Sequence, residues 1–190
     1  MTTKALAYSI QKYLQEKTGF TIARSHVYEL IAAAFGFGSR AAMTSRFVLV
    51  EKSLSVRWPS EHEAIVLNRA LGLGYSEATA VGVAHWLPSF LELNQIGVVN
   101  LSQLLSYLRC SATIGGEFPA DDEAYDDEED WLESIEDDEL IMTGLITSSL
   151  LHDELKRAAQ GGKKDALEIV NWLQLLRNRP HPHQDLTAHV

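Results

Sequence analysis

His152 and Asp153 stand side by side in Leu150-Leu-His-Asp-Glu-Leu-Lys156. An imidazole and a carboxylate are the groups that hold a hydrolytic metal ion. A metal ion needs further ligands from elsewhere in the chain. His62 or His85 and Asp165 or Asp185 are available, and none has a supporting context. The spacing predicts instead that His152 and Asp153 lie on the polar face of an amphipathic helix. His62-Glu63 lacks a second histidine four residues after the first, so it is no zinc-protease motif. His181, His183 and His189 fall in a polar tail. The pairs Gly36-x-Gly38 and Gly72-x-Gly74 lack a third glycine, a preceding strand and a following Gly-Lys-Ser/Thr, so no nucleotide loop is expected. Cys110 is the single cysteine, which excludes a disulfide framework and any multi-cysteine zinc or iron–sulfur centre. No catalytic constellation is complete. The expected class is therefore non-enzymatic, with no cofactor and no metal.

Charge carries more information. The chain has 190 residues and a net charge of −10. Residues 116–140 hold fourteen acids and no base, while the remaining 165 residues carry +4. The acidity belongs to one stretch, not to the whole chain. Asp121, Asp122, Glu123, Asp126, Asp127, Glu128, Glu129 and Asp130 form its densest part, with Tyr125 and Trp131 among them. Aromatic residues among charges favour docking over mere solvation, because exposed aromatics are frequent interface anchors. The segment is thus the leading partner-binding surface, for a protein with a basic face. Two further readings follow from the same charge. It could imitate nucleic-acid phosphates, which lie about 1.7 Å apart along a duplex axis, and so inhibit a nucleic-acid-binding complex. It could also fold back on the basic N-terminal part.

That part, residues 1–50, carries +4. Here the alternative is a helix-turn-helix over 24–46 acting as a nucleic-acid-binding regulator. Ser39, Arg40, Thr44, Ser45 and Arg46 would face a major groove, and Lys17 and Arg24 would touch phosphate.

The elements that must position these residues are nearly all helical. Leu6, Ile10, Tyr13 and Leu14 predict a helix over 3–17, stopped by Gly19. Ser25 predicts the N-cap of a helix over 26–35, and Ser39 that of a helix over 40–46. Phe47 to Trp58 alternates apolar residues about Glu51-Lys52-Ser53 and predicts a small hairpin. Ser60 and Glu63 form a capping box for a helix to Leu71. Ser76 caps a helix that Pro88 should kink or end. Asn100 and Gln103 predict the start of a helix over 101–110. Helices over 140–160 and 164–178 follow, separated by Gly161-Gly162. Ala34-Phe-Gly-Phe-Gly38 returns as Ala70-Leu-Gly-Leu-Gly74, so 25–46 and 60–86 read as a repeated helix-turn-helix unit. The expected fold is a mainly α bundle of such units with at most one small β-hairpin. Its parts are a body over 1–112, an acidic segment over 113–139, a helical hairpin over 140–179 and a flexible tail over 180–190. No apolar run approaches the roughly 18 residues of a membrane span. The charged start does not read as a signal peptide, and a cytoplasmic location is expected.

Three resemblances bear on this. Ser25-His26-Val27-Tyr28-Glu29-Leu30-Ile31-Ala32, Gly36-Phe37 and Ala41-Ala42-Met43 together resemble a small helical module. It occurs at the start of some glyoxalase-related proteins and of bacterial mobile-element proteins. The likeness implies helices and a mobile-element setting. It transfers no catalytic residue, because the β-rich metal-binding body of a glyoxalase does not follow. Leu155 to Ala166 is similar to the turn of a tetratricopeptide-like hairpin, and His152-Asp153 resembles the metal pair of helical phosphohydrolases. The reading that results is a bacterial interaction or accessory factor that docks another protein through its acidic segment, without membrane contact.

Overall fold

The computed structural model describes residues 1–51, 61–113 and 147–177, the side chains of 110–113 excepted. Residues 114–146, which hold the acidic stretch and the start of the helix expected over 140–160, the span 52–60 and the tail from 178 onward lie outside the described residues. Among the described residues the fold is mainly helical with one small antiparallel sheet. In chain order the elements are α1 (Thr3–Thr18), α2 (Arg24–Ala34), α3 (Arg40–Arg46), β1 (Phe47–Val50), α4 (His62–Gly72), α5 (Glu77–Leu93), β2 (Gly97–Asn100), α6 (Leu101–Thr113), α7 (Ser149–Gln160) and α8 (Lys164–Arg177).

Among the described residues, two apolar clusters form the interior. The first gathers α1, α2, α4 and α5 around Leu6, Ile10, Leu30, Ile31, Val83 and Leu87. The second gathers α6, α7 and α8 around Leu104, Leu108, Leu155, Ile169 and Leu173. β1 is their common wall. Successive strand side chains point to opposite faces, so Leu49 enters the first cluster while Val48 and Val50 enter the second. α7 does the same at its start, with Leu150 in the first cluster and Leu151 in the second.

The strand at 47–50 pairs with Gly97–Asn100, Phe47 opposite Asn100 and Val50 opposite Gly97. Its partner is therefore distant in sequence. The other half of the expected hairpin, 52–58, lies outside the described residues. Asn100 then caps α6, its Oδ1 accepting from the Ser102 and Gln103 N–H groups.

Other boundaries depart from the sequence expectations. α2 begins at Arg24, with Ala23 rather than Ser25 as N-cap. The Tyr75 hydroxyl accepts from the Ala23 N–H at 2.9 Å and meets His26 Nδ1 at 2.9 Å, so a tertiary contact replaces a local cap. α4 has Glu61 as its N-cap, without a side-chain cap bond. α5 continues through Pro88 to Leu93. Proline removes one backbone bond, but Leu87, Phe90 and Leu91 are buried on either side of it, and their packing holds the helix together. α7 starts at Ser149 because the Ser148 hydroxyl accepts from the Leu151 N–H and caps it there.

The glycine echo is real in shape but shifted in register. α2 closes with Phe37 N–H on the Ala32 carbonyl and Gly36 N–H on that of Ala33. α4 closes with Tyr75 N–H on Ala70 and Gly74 N–H on Leu71. Both are Schellman caps, whose penultimate residue is left-handed, at φ 81° for Gly36 and 87° for Gly74. The equivalent residues are thus Gly36 and Gly74, and Gly72 falls inside α4. α5 ends the same way, with Ile96 N–H on Leu91 and Gln95 N–H on Glu92, but Gln95 fills the left-handed position at φ 51°.

Candidate functional site

Among the described residues, three places that gather polar or aromatic side chains bear on function. The first is the N-terminal module. Glu29 on α2 accepts from the Arg40 N–H at 3.1 Å and lies 4.0 Å from an Arg69 guanidinium nitrogen. Arg69 also donates to the Gly38 carbonyl. The Arg40 guanidinium stacks 3.9 Å from the Tyr28 ring centroid. Ser39 Oγ accepts from the Ala42 N–H and caps α3, and the Thr44 hydroxyl donates to the Arg40 carbonyl. Ser45 donates to the Ala42 carbonyl. Of the residues expected at a nucleic-acid face, Ser39, Arg40 and Thr44 are engaged within the module, while Arg24 and Arg46 are exposed at its surface. α3 has only seven residues. Beside it, Ile65, Asn68, Arg69, Gly72 and Leu73 line a shallow groove of about 400 Å³.

The second is a junction joining the two clusters. Thr3, 1 % exposed, donates its N–H to Asp153 Oδ2 at 2.9 Å and its hydroxyl to Glu154 Oε1 at 2.5 Å. Arg157 spans both acids, at 2.8 Å from Asp153 and 3.5 Å from Glu154. Glu51, just after β1, accepts from the Leu150 N–H at 3.3 Å and from the Met1 amino group at 2.6 Å. Burial by itself would raise the Asp153 carboxyl, but the Thr3 bonds and the Arg157 and Lys156 charges together hold it below its ordinary value. Asp153 thus ties α7 to α1, and its carboxylate is occupied by Thr3 and Arg157. Asp165 accepts from the Ser102 hydroxyl at 3.2 Å, and His85 lies 4.0 Å from Glu63. Among the described residues, no three His, Cys, Asp or Glu side chains converge as a metal-binding group.

The third place escaped the sequence reading. Lys17, expected at phosphate, holds its ammonium 4.9 Å from the Trp86 ring centroid and 5.7 Å from that of Tyr13. The two rings are 6.4 Å apart and inclined at 76°. Phe90 packs on Tyr13 at 5.1 Å, and His85 on Trp86 at 4.7 Å. The i, i+4 spacing of Tyr13 and Lys17 signals their shared face. Nothing local announces Trp86, which arrives from another helix.

The acidic residues Asp121 to Trp131 lie outside the described residues, but the elements flanking them do not. α6 before the segment and α7 after it both pack in the second cluster. Among the described residues, no helix is long and apolar enough to cross a membrane. Compared with protein-family models, curated proteins and solved structures, the chain finds no match.

Proposed function

We propose that this protein is a non-enzymatic accessory factor that docks a basic partner protein through Asp121 to Trp131. The observation that carries the reading is the placement of charge. Fourteen acids are concentrated in 116–140, between two helices that belong to one apolar cluster. The anionic stretch is therefore joined through the chain, before and after it, to helices of one cluster. Tethering limits the conformational freedom lost when a partner binds, and the dense charge speeds encounter with a basic surface. The resemblance of 25–43 adds a bacterial, mobile-element setting, and the single cysteine a cytoplasmic location, as parts of the same proposal. Less supports the duplex-reading alternative. Ser39, Arg40 and Thr44 are engaged inside the module, and the helix they would use is short.

The test is co-purification from the cell that makes the protein. The full chain is compared with a variant in which the acids of 121–130 become Asn and Gln. The proposal expects a salt-sensitive partner with the first and none with the second, at equal helicity by circular dichroism. An identical partner set would refute it.

A further inference from the structure

We infer that Tyr13 and Trp86 form a cation-binding corner, at present filled by the chain's own Lys17, that accepts a quaternary ammonium head such as that of a methylated lysine or a choline.

Ring electrostatics make the corner attractive to a cation. An aromatic face is the negative part of its quadrupole and attracts a cation within about 6 Å of the centroid. Two faces at a steep angle create a corner where one cation meets both. Tyr13 and Trp86 are inclined at 76°, and the Lys17 ammonium lies within that distance of both centroids. Each wall has a ring neighbour. Phe90, 7 % exposed, packs on Tyr13, and His85 sits edge-on to Trp86. The close α1–α5 crossing at Gly82 and Thr18 fixes the helices that carry the two rings.

The occupant is what makes this a site rather than a brace. Lys17 is exposed, and a primary ammonium is strongly hydrated, so it gains little from the corner. A quaternary ammonium has no N–H groups to leave unsatisfied and covers both faces with methyl groups. Lys17 is therefore a weak internal competitor that a methylated cation displaces.

The experiment follows the Trp86 indole N–H resonance of the full chain, identified by its loss in Trp86→Phe. Tetramethylammonium chloride is titrated against sodium chloride and against neutral tert-butanol. In Lys17→Ala the corner is vacant. A saturable shift with tetramethylammonium is expected there, on the order of millimolar affinity, and about two- to fivefold weaker in the wild type, where Lys17 competes. A trimethyl-lysine peptide and phosphocholine then separate the two sources, the tighter one being the natural class. Lys17→Ala leaves both rings in place, so folding is not at issue. No saturable shift in that variant, or an equal response to tert-butanol, would overturn the proposal.

Discussion

Gln95 occupies a backbone position that α2 and α4 give to glycine. A side chain in the left-handed region costs about 1–2 kcal/mol, and Gln95 is exposed with φ at 51°. Gln95→Gly should therefore stabilise the protein by about 0.5–1 kcal/mol, the strain removed exceeding the unfolded-state entropy that glycine adds. Chemical denaturation measures this directly. A lower midpoint would mean that the Gln95 side chain holds something the backbone argument omits. Asp153 gives a second prediction at this scale. Its carboxyl lies below the ordinary 3.8, so it binds its proton less readily folded than unfolded. Its stabilisation is complete above that value and is lost as pH falls through the folded one. Asp153→Asn should cost about 1–2 kcal/mol at pH 7 and flatten the acid limb of a stability–pH curve. An unchanged acid limb would remove Asp153 as a pH-dependent tie between α7 and α1. The sequence made His152-Asp153 conspicuous but not its partner. Thr3 is 150 residues from Asp153, and no local pattern pairs them.

At the scale of elements, the crossing of α1 over α5 is close enough to call for a glycine. A Cβ on Gly82 would meet Thr18 Cγ2 at 2.8 Å. Gly82→Ala should cost about 1–3 kcal/mol through overpacking, even though alanine is the better helix former. Thr18→Ala removes the obstructing methyl group, so the double variant should recover part of that loss. A thermal-melt double-mutant cycle reads the coupling, and strict additivity would contradict the close approach. Most helices were legible here, because their apolar residues recur at three and four and their caps are local. Three features that local pattern leaves open share one cause. Ala23 in place of Ser25, the continuous α5 and the distant partner of β1 are all decided by tertiary contacts: the Tyr75 hydroxyl, the packing around Pro88, and the 97–100 strand. The shifted glycine echo has a different lesson. Cap geometry fixes which glycine must be left-handed, and spelling alone does not.

At the scale of the molecule, the sequence made the charge asymmetry plain, and the structure adds its attachment points. That α6 and α7 would meet in one cluster was not readable from periodicity, which shows that a face is apolar and not what it packs against. β1, with Leu49 in one core and Val48 and Val50 in the other, is the piece that unites the two halves. The corner holding Lys17 was invisible for the same reason, since its walls come from α1 and α5. The measurement that bears most directly on the docking proposal is calorimetric titration of the captured partner, once purified, against the full chain and the 121–130 neutralised variant at increasing salt. The account predicts an affinity that falls steeply with salt for the native chain and is at least about tenfold weaker in the variant, a difference of about 1.4 kcal/mol. Equal affinity for the two chains, with the same salt dependence, would contradict it.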